Sequence, residues 1–186
     1  DNLIVSGSAD KTLAVWNVHP AWTLVGQLGA ETDNPLDISA SPFTDRVLAL
    51  NFSPDGKLLA VGGIGKIGNI DHLGGPSRIE IFEWQSGKKL HQLEDGKFKG
   101  LVEQIAFAPD GSWFIAAGGD HNGFISVYET KSGKLIKQEK APMHVHQFVV
   151  NEPHDTVYAV GHQRLVTWEL KAAAPKPSAK KDAAKK

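Results

Sequence analysis

A short apolar pattern recurs three times along the chain. Each copy has a valine, two residues, a large apolar residue, one residue and a second large apolar residue, beginning at Val47, Val102 and Val145. The first two copies run into Ser-Pro-Asp-Gly and Ala-Pro-Asp-Gly, and the third is followed by Asn-Glu-Pro-His-Asp. Because proline presets a turn and glycine accepts the positive φ that closes it, each copy predicts a strand ending in a tight reversal.

Three further runs follow each turn in a fixed order. The second run ends in small residues, at 58–63, 113–119 and 157–161, and residues 3–8 form the same element. The third alternates and ends in an aromatic residue, at Trp16, Phe82, Tyr128 and Trp168. The fourth lies at 23–28, 89–93 and 135–139. Alternation with β-branched and aromatic residues is typical of strands, so the sequence predicts an all-β fold of fourteen strands in antiparallel meanders. Four-stranded units repeated every ~40–50 residues indicate β-propeller blades.

These residues resemble the repeats of WD-repeat β-propellers over 1–170. The resemblance rests on the Ser-Pro-Asp-Gly turn and on the pairs Trp16-Asn17, Tyr128-Glu129 and Trp168-Glu169. It implies blades at about 1–30, 47–95, 102–140 and 145–170. It also implies a structural role for Asp10, Trp16, Phe82, Tyr128 and Trp168. Gln163 stands where the family's pattern has an aspartate, and no Gly-His pair occurs, so we expect the family's Asp-His-Ser-Trp hydrogen-bond network to be incomplete.

The strand count predicts an incomplete ring. The first unit lacks its first strand and the last lacks its fourth, whereas rings of this family usually have about seven blades. We therefore expect the chain to be part of a larger propeller, to bind the missing N-terminal part of the same protein, or to self-associate through exposed blade faces. A small four-bladed ring with an irregular first blade is the alternative.

Composition narrows the partner classes. The chain has 186 residues, a net charge of -1 and no cysteine, so disulfides and thiolate metal sites are excluded. The last sixteen residues are rich in Lys, Ala and Pro, with six lysines and one acidic residue, and this composition predicts a disordered tail at 171–186. The remaining body is acidic, so we do not expect nucleic acid as a partner. No apolar stretch is long enough to span a membrane.

Connections of variable length are predicted at one face of the blades, at 30–46, 62–77, 95–100, 120–123 and 141–144. Length variation on one face of a rigid scaffold is typical of a recognition surface. We therefore predict a non-enzymatic scaffold that presents this face to a protein or peptide, and no cofactor. The alternative for each candidate contact is an ordinary solvated loop charge. The candidate contacts are Asp45, Arg46, Lys66, Asp71, His72, Arg78, Asp120 and His121.

Two other features of the sequence suggest functions different from a protein-binding scaffold. His144 and His146 lie two apart on one strand face, but a zinc site needs a third convergent ligand, and His154 falls in a turn of the opposite face. We expect isolated histidines, with a metal-dependent propeller enzyme as the alternative. The Gly-Gly-Pro-Ser-Arg segment ending at Arg78 resembles bacterial multidomain proteins in which a propeller follows a cytochrome c-like domain. That resemblance implies an accessory role in an exported, periplasmic redox protein, although a cytoplasmic location stays open.

Overall fold

The predicted all-β architecture is confirmed. The computed structural model describes residues 3–7, 13–17, 23–28, 47–66 and 74–170. Over these ranges the backbone forms fourteen strands in four antiparallel sheets and no helix. Strands that follow one another in sequence are hydrogen-bonded neighbours in space, so each sheet is a meander. We call the sheets blades 1 to 4 in chain order.

The two outer blades have three strands each and the two central blades have four. Blade 1 comprises β1 (Leu3–Gly7), β2 (Leu13–Asn17) and β3 (Thr23–Leu28). Blade 2 comprises β4 (Val47–Phe52), β5 (Leu58–Ile64), β6 (Pro76–Glu83) and β7 (Lys88–Lys99). Blade 3 comprises β8 (Leu101–Phe107), β9 (Trp113–Gly119), β10 (Gly123–Glu129) and β11 (Leu135–Ala141). Blade 4 comprises β12 (Gln147–Val150), β13 (Thr156–Gly161) and β14 (Arg164–Glu169).

Two predicted connections are shorter than expected. The loop predicted at 62–77 is narrower, because β5 continues to Ile64 and β6 already begins at Pro76. The loop predicted at 95–100 is wrong, since β7 runs on to Lys99. The register of β7 against β6 shifts there, so that Ser77 faces Asp95 while Pro76 faces Lys99. A bulge thus accommodates residues that read as a loop in the sequence.

The three turns after the first strands share one hydrogen-bonding scheme. The N–H of Gly56 donates to Ser53 O at 2.8 Å, that of Gly111 to Ala108 O at 2.9 Å, and that of His154 to Asn151 O at 2.9 Å. All three donors have positive φ, of 69°, 70° and 57°. His154 therefore occupies the position that glycine holds in the other two turns. We call this end of the strands, defined by residues 53–57, 108–112 and 151–155, the turn end.

Apolar side chains fill the space between neighbouring blades. One cluster joins blades 2 and 3 and another joins blades 3 and 4. The first strands are also linked directly: Asn51 Nδ2 donates to Ile105 O at 2.9 Å, and Gln104 Nε2 donates to Phe148 O at 2.9 Å. The Phe148 N–H returns a bond to Gln104 Oε1 at 2.6 Å. Blades 2 to 4 are therefore packed sheet against sheet with polar links along their first strands.

The repeat aromatics occupy one register position. Each lies across from the second residue of the strand before it, and Phe82 and Tyr128 are buried. Tyr128 stacks on its partner Phe114 with ring centroids 5.3 Å apart, and burial raises the pKa of Tyr128 to about 12. Trp16 donates from Nε1 to Ser6 Oγ at 3.1 Å. The aromatic partners are Trp16 with Ile4, Phe82 with Leu59, Tyr128 with Phe114 and Trp168 with Val157.

Candidate interaction surface

The second end of the strands carries the unequal connections. Because antiparallel neighbours reverse direction, the connections β5–β6, β7–β8, β9–β10, β11–β12 and β13–β14 all lie opposite the turn end. We call this end the loop end; its described residues are 65–66, 74–75, 100, 120–122, 142–146 and 162–163. It brings together side chains from blades 2, 3 and 4.

A basic groove lies at the loop end between blades 2 and 3. It has a volume of about 420 Å³. Asp120 and His121, both predicted contacts, form part of its wall, and Asp120 Oδ2 lies 3.0 Å from His121 Nδ1. The His121 side chain is 84% exposed. We call it the lysine groove; its lining is Lys97, Phe98, Lys99, Asp120, His121, Asn122, Gly123 and Lys140.

The other predicted contacts are placed differently. Lys66 is exposed just beyond β5. Arg78 lies inside blade 2 with 1% of its surface exposed. The remaining predicted residues, which are Asp10, Asp45, Arg46, Asp71 and His72, lie outside the described residues.

Arg78 belongs to an ion-pair network within blade 2. Its Nη2 lies 2.6 Å from Oε1 of Glu80, which is fully buried, and its Nη1 lies 3.5 Å from Glu94 Oε2. Lys89 Nζ approaches the same Glu80 oxygen at 3.3 Å. A buried charge must be paired to be tolerated, so this network gives Arg78 a structural role inside the sheet.

Three potential metal ligands converge where blade 3 meets blade 4. The ligand atoms of Glu103, His144 and His146 all lie within 4.8 Å of one another. His144 Nε2 is 3.0 Å from Glu103 Oε1. Glu103 was not predicted as a candidate from the sequence, and it comes from a different blade. One signal could have revealed it: Glu103 and His146 both directly follow the valine of the repeat.

Blade 4 also exposes an apolar sheet face. Val149, Tyr158, Val160 and Leu165 have exposed fractions of 60%, 42%, 43% and 66%. Val149 pairs with Tyr158, and Val160 pairs with Leu165, so the four side chains form two cross-strand pairs on one face. We call these residues the blade 4 face. The equivalent residues of blade 3 are Ala106, Ile115, Ala117 and Ile125, which pack in the cluster against blade 4.

Comparison with known proteins identifies the repeat. Residues 1–17, 37–66 and 87–129 match the family model described as WD domain, G-beta repeat. These three stretches of the chain match WD repeats. Its four antiparallel sheets, packed face to face, are accordingly blades of the propeller type, as the repeat pattern predicted.

Curated relatives are similar in sequence to most of this chain. Pre-mRNA-processing factor 17 from Homo sapiens and from Mus musculus is 31% identical over 157 residues, which cover 82% of this chain and 22% of the relative. Small ribosomal subunit protein RACK1y from Oryza sativa subsp. japonica is 28% identical over 139 residues, 75% of this chain and 32% of the relative. The chain thus spans between about a fifth and a third of the length of these relatives.

These comparisons do not support every resemblance drawn from the sequence. The three relatives are eukaryotic, so they give no support to the expected bacterial origin. They likewise do not show the arrangement with a cytochrome c-like domain. In the described residues, no helix has the length and apolar character to cross a membrane.

Proposed function

We propose that this WD-repeat chain is a non-enzymatic interaction scaffold that binds an acidic segment of a partner protein in the lysine groove. The observation that carries the proposal is the groove itself, in which Lys97, Lys99 and Lys140 line one concave surface together with Phe98. An opening with convergent cations and an aromatic ring suits a peptide that carries carboxylates beside an apolar side chain.

The groove walls are held by regular structure. Lys97 and Lys99 end β7, Lys140 lies near the end of β11, and Gly123 begins β10. Lys97 Nζ lies 5.2 Å from the centre of the Phe98 ring, a cation–π contact that orders the lysine beside the aromatic. Because strands fix the walls, little conformational entropy is lost when a partner binds.

The relatives agree with a role in association. One is named as a small ribosomal subunit protein and the other as a factor of pre-mRNA processing. Neither name describes the partner of this chain. An acidic protein segment is proposed as the partner because three lysines line the groove.

Charge reversal in the groove tests the proposal. We would titrate a fluorescent ten-residue peptide of glutamate and phenylalanine and follow its anisotropy. The variant with Lys97→Glu and Lys140→Glu should bind at least about tenfold more weakly, which corresponds to ~1.4 kcal/mol. The matched control is Lys57→Glu at the turn end, whose side chain is 76% exposed. This control should bind like the parent chain.

Two results would contradict the proposal. Equal weakening by Lys57→Glu would show that only overall charge matters. Tighter binding of a single-stranded oligonucleotide than of the peptide, again lost with the groove lysines, would favour nucleic acid as the partner class. Added salt should weaken the genuine interaction, since the attraction between exposed charges decays over a screening length of about 10 Å at 0.1 M salt, and this length shortens as salt is added.

A separate observation favours a second interface. The blade 4 face is apolar at the positions where blade 3 buries its side chains against the next blade. We propose that this face binds a second copy of the chain when no other propeller blade covers it. Exposed apolar patches of this kind mark interaction sites.

Light scattering on the purified chain tests the second interface. The parent chain should form dimers or larger species, and Val149→Glu with Leu165→Glu should shift it to the monomer mass. Ile136→Glu is the matched control, because Ile136 is 59% exposed on β11 in blade 3. A parent chain that is monomeric at all concentrations would contradict the interface.

A further inference from the structure

A cluster of potential metal ligands lies where blades 3 and 4 meet at the loop end. We propose that Glu103, His144 and His146 form a binding site for one divalent transition metal ion, Zn²⁺ in particular, which links the two blades. Glu103 comes from β8 of blade 3, while both histidines lie in the connection that enters β12 of blade 4. A bound ion would therefore join residues that are far apart in sequence.

The distances suit metal binding. Zinc–nitrogen and zinc–oxygen bonds of about 2.0–2.1 Å place neighbouring ligands of a tetrahedron about 3.3 Å apart. His144 Nε2 and Glu103 Oε1 are 3.0 Å apart, and all three ligand atoms lie within 4.8 Å of each other. The third atom is thus at most about 1.5 Å farther from the other two than tetrahedral coordination requires.

The ligand types favour zinc over magnesium or calcium. Two imidazoles and one carboxylate form a donor set found in zinc sites, whereas magnesium and calcium prefer oxygen ligands. His144 is nearly buried, Glu103 is partly buried and His146 is exposed. The site is thus partly desolvated yet open on one side, so an ion can enter.

The backbone holds the two histidines in place. The His146 N–H donates to Val160 O at 3.0 Å, and the Val145 N–H donates to Gly118 O at 3.3 Å. A Cβ at Gly161 would overlap the carbonyl oxygen of His144, so only glycine allows this close approach. The connection before β12 is therefore fixed on both sides of the ligands.

A third histidine borders the cluster. The His162 ring centroid lies 4.9 Å from that of His146 and 5.5 Å from that of His144. His162 and Gln163 form the two-residue turn between β13 and β14, with φ of 27° and 63°. Positive φ at both residues is the conformation that a two-residue hairpin turn requires. The ring nitrogens of His162 are not among the three ligand atoms that lie within 4.8 Å of one another.

The competing explanation is a hydrogen bond alone. His144 and Glu103 already contact each other, and this contact could hold the blades together without an ion. The two explanations differ for Glu103→Gln. A glutamine can still accept a hydrogen bond from the imidazole, but a neutral amide is a poor zinc ligand.

Equilibrium dialysis of the untagged chain against Zn²⁺, followed by elemental analysis, tests the site. We expect one ion per chain, and Co²⁺ in its place should give the visible absorption of a tetrahedral complex. His146→Ala should lower the affinity at least about tenfold, as loss of a ligand requires. His146 is exposed, so this variant should keep the parent's circular dichroism spectrum. The control His121→Ala should bind like the parent.

Glu103→Gln completes the test. It should weaken Zn²⁺ binding while the melting temperature without metal stays within about 2 °C of the parent, and it should reduce the rise in melting temperature that saturating Zn²⁺ produces. Parent chain that retains less than one ion, or equal retention by the parent and by His146→Ala, would overturn the proposal. A metal-free melting temperature and a Zn²⁺ affinity that are both unchanged by Glu103→Gln would leave only the hydrogen bond.

Discussion

The two ends of the blades differ in how regular their connections are. At the turn end, three reversals repeat one scheme, and their polar groups bond within the turn, as when Asp55 Oδ1 accepts from Ser53 Oγ at 2.6 Å. At the loop end, each connection differs in length and sequence, and side chains from different blades meet. The lysine groove and the Glu103, His144 and His146 cluster both lie there. Polar side chains at repeated positions form hydrogen bonds within their own turns. Side chains at positions that differ between the blades are available for binding.

The largest expected effect is a loss of stability at the loop end, and it tests whether the backbone there is rigid. Gly161→Ala should lower the free energy of unfolding by about 3 kcal/mol, since its Cβ would overlap His144 O and force the backbones apart. Urea unfolding measures the change. Gly96→Ala is the control, because a Cβ there meets nothing within 4 Å. Equal stability of the two variants would mean that the backbone at the loop end moves to make room for the added Cβ at little cost.

A smaller effect is expected at the turn end. In Gly111→Ala, the added Cβ would meet Pro54 Cδ at an ordinary contact distance of 3.6 Å, but the residue has a φ of 70°, and a left-handed conformation costs alanine about 1–2 kcal/mol. Urea unfolding should show this loss, while peptide binding in the lysine groove stays unchanged. A loss of binding without a loss of stability would contradict the separation of roles between the two ends.

The smallest effect is a change in the acid dependence of stability. Hydrogen bonds from the Ser112 N–H and Oγ, at 3.0 and 2.7 Å, hold the pKa of Asp110 below its usual range. The ionised form is thus favoured in the folded state, and its contribution is present above about pH 4 and is lost as the pH falls through the lowered pKa. Asp110→Asn should lose less stability than the parent between pH 7 and pH 3. An identical loss would show that the turn carboxylate does not contribute.

Much of the fold is readable from the sequence because the repeat is local. Strand bounds at 113–119 and 23–28 were predicted as the structure has them. The bulge in β7 was not, since Asp95 and Gly96 read as a break while tertiary pairing with β6 keeps the strand going. Arg78 was predicted as a partner contact where a strand begins, yet β6 begins two residues before it and carries it into the sheet.

The site was less predictable because it is assembled across blades. His144 and His146 were recognised as a pair, but the third ligand, Glu103, lies some forty residues earlier and approaches only when blade 4 packs on blade 3. The groove lysines likewise come from two blades, and only Asp120 and His121 among its lining were predicted. Contacts between blades depend on packing, which a repeat pattern does not encode.

The central claim is that the loop end makes the contacts with the partner. Hydrogen–deuterium exchange of the chain with and without the saturating acidic peptide tests it directly. The account predicts slower exchange in the segments that form the lysine groove, at 97–100 and 120–123, with no change at 53–57 or 108–112. Protection confined to the turn end would contradict it.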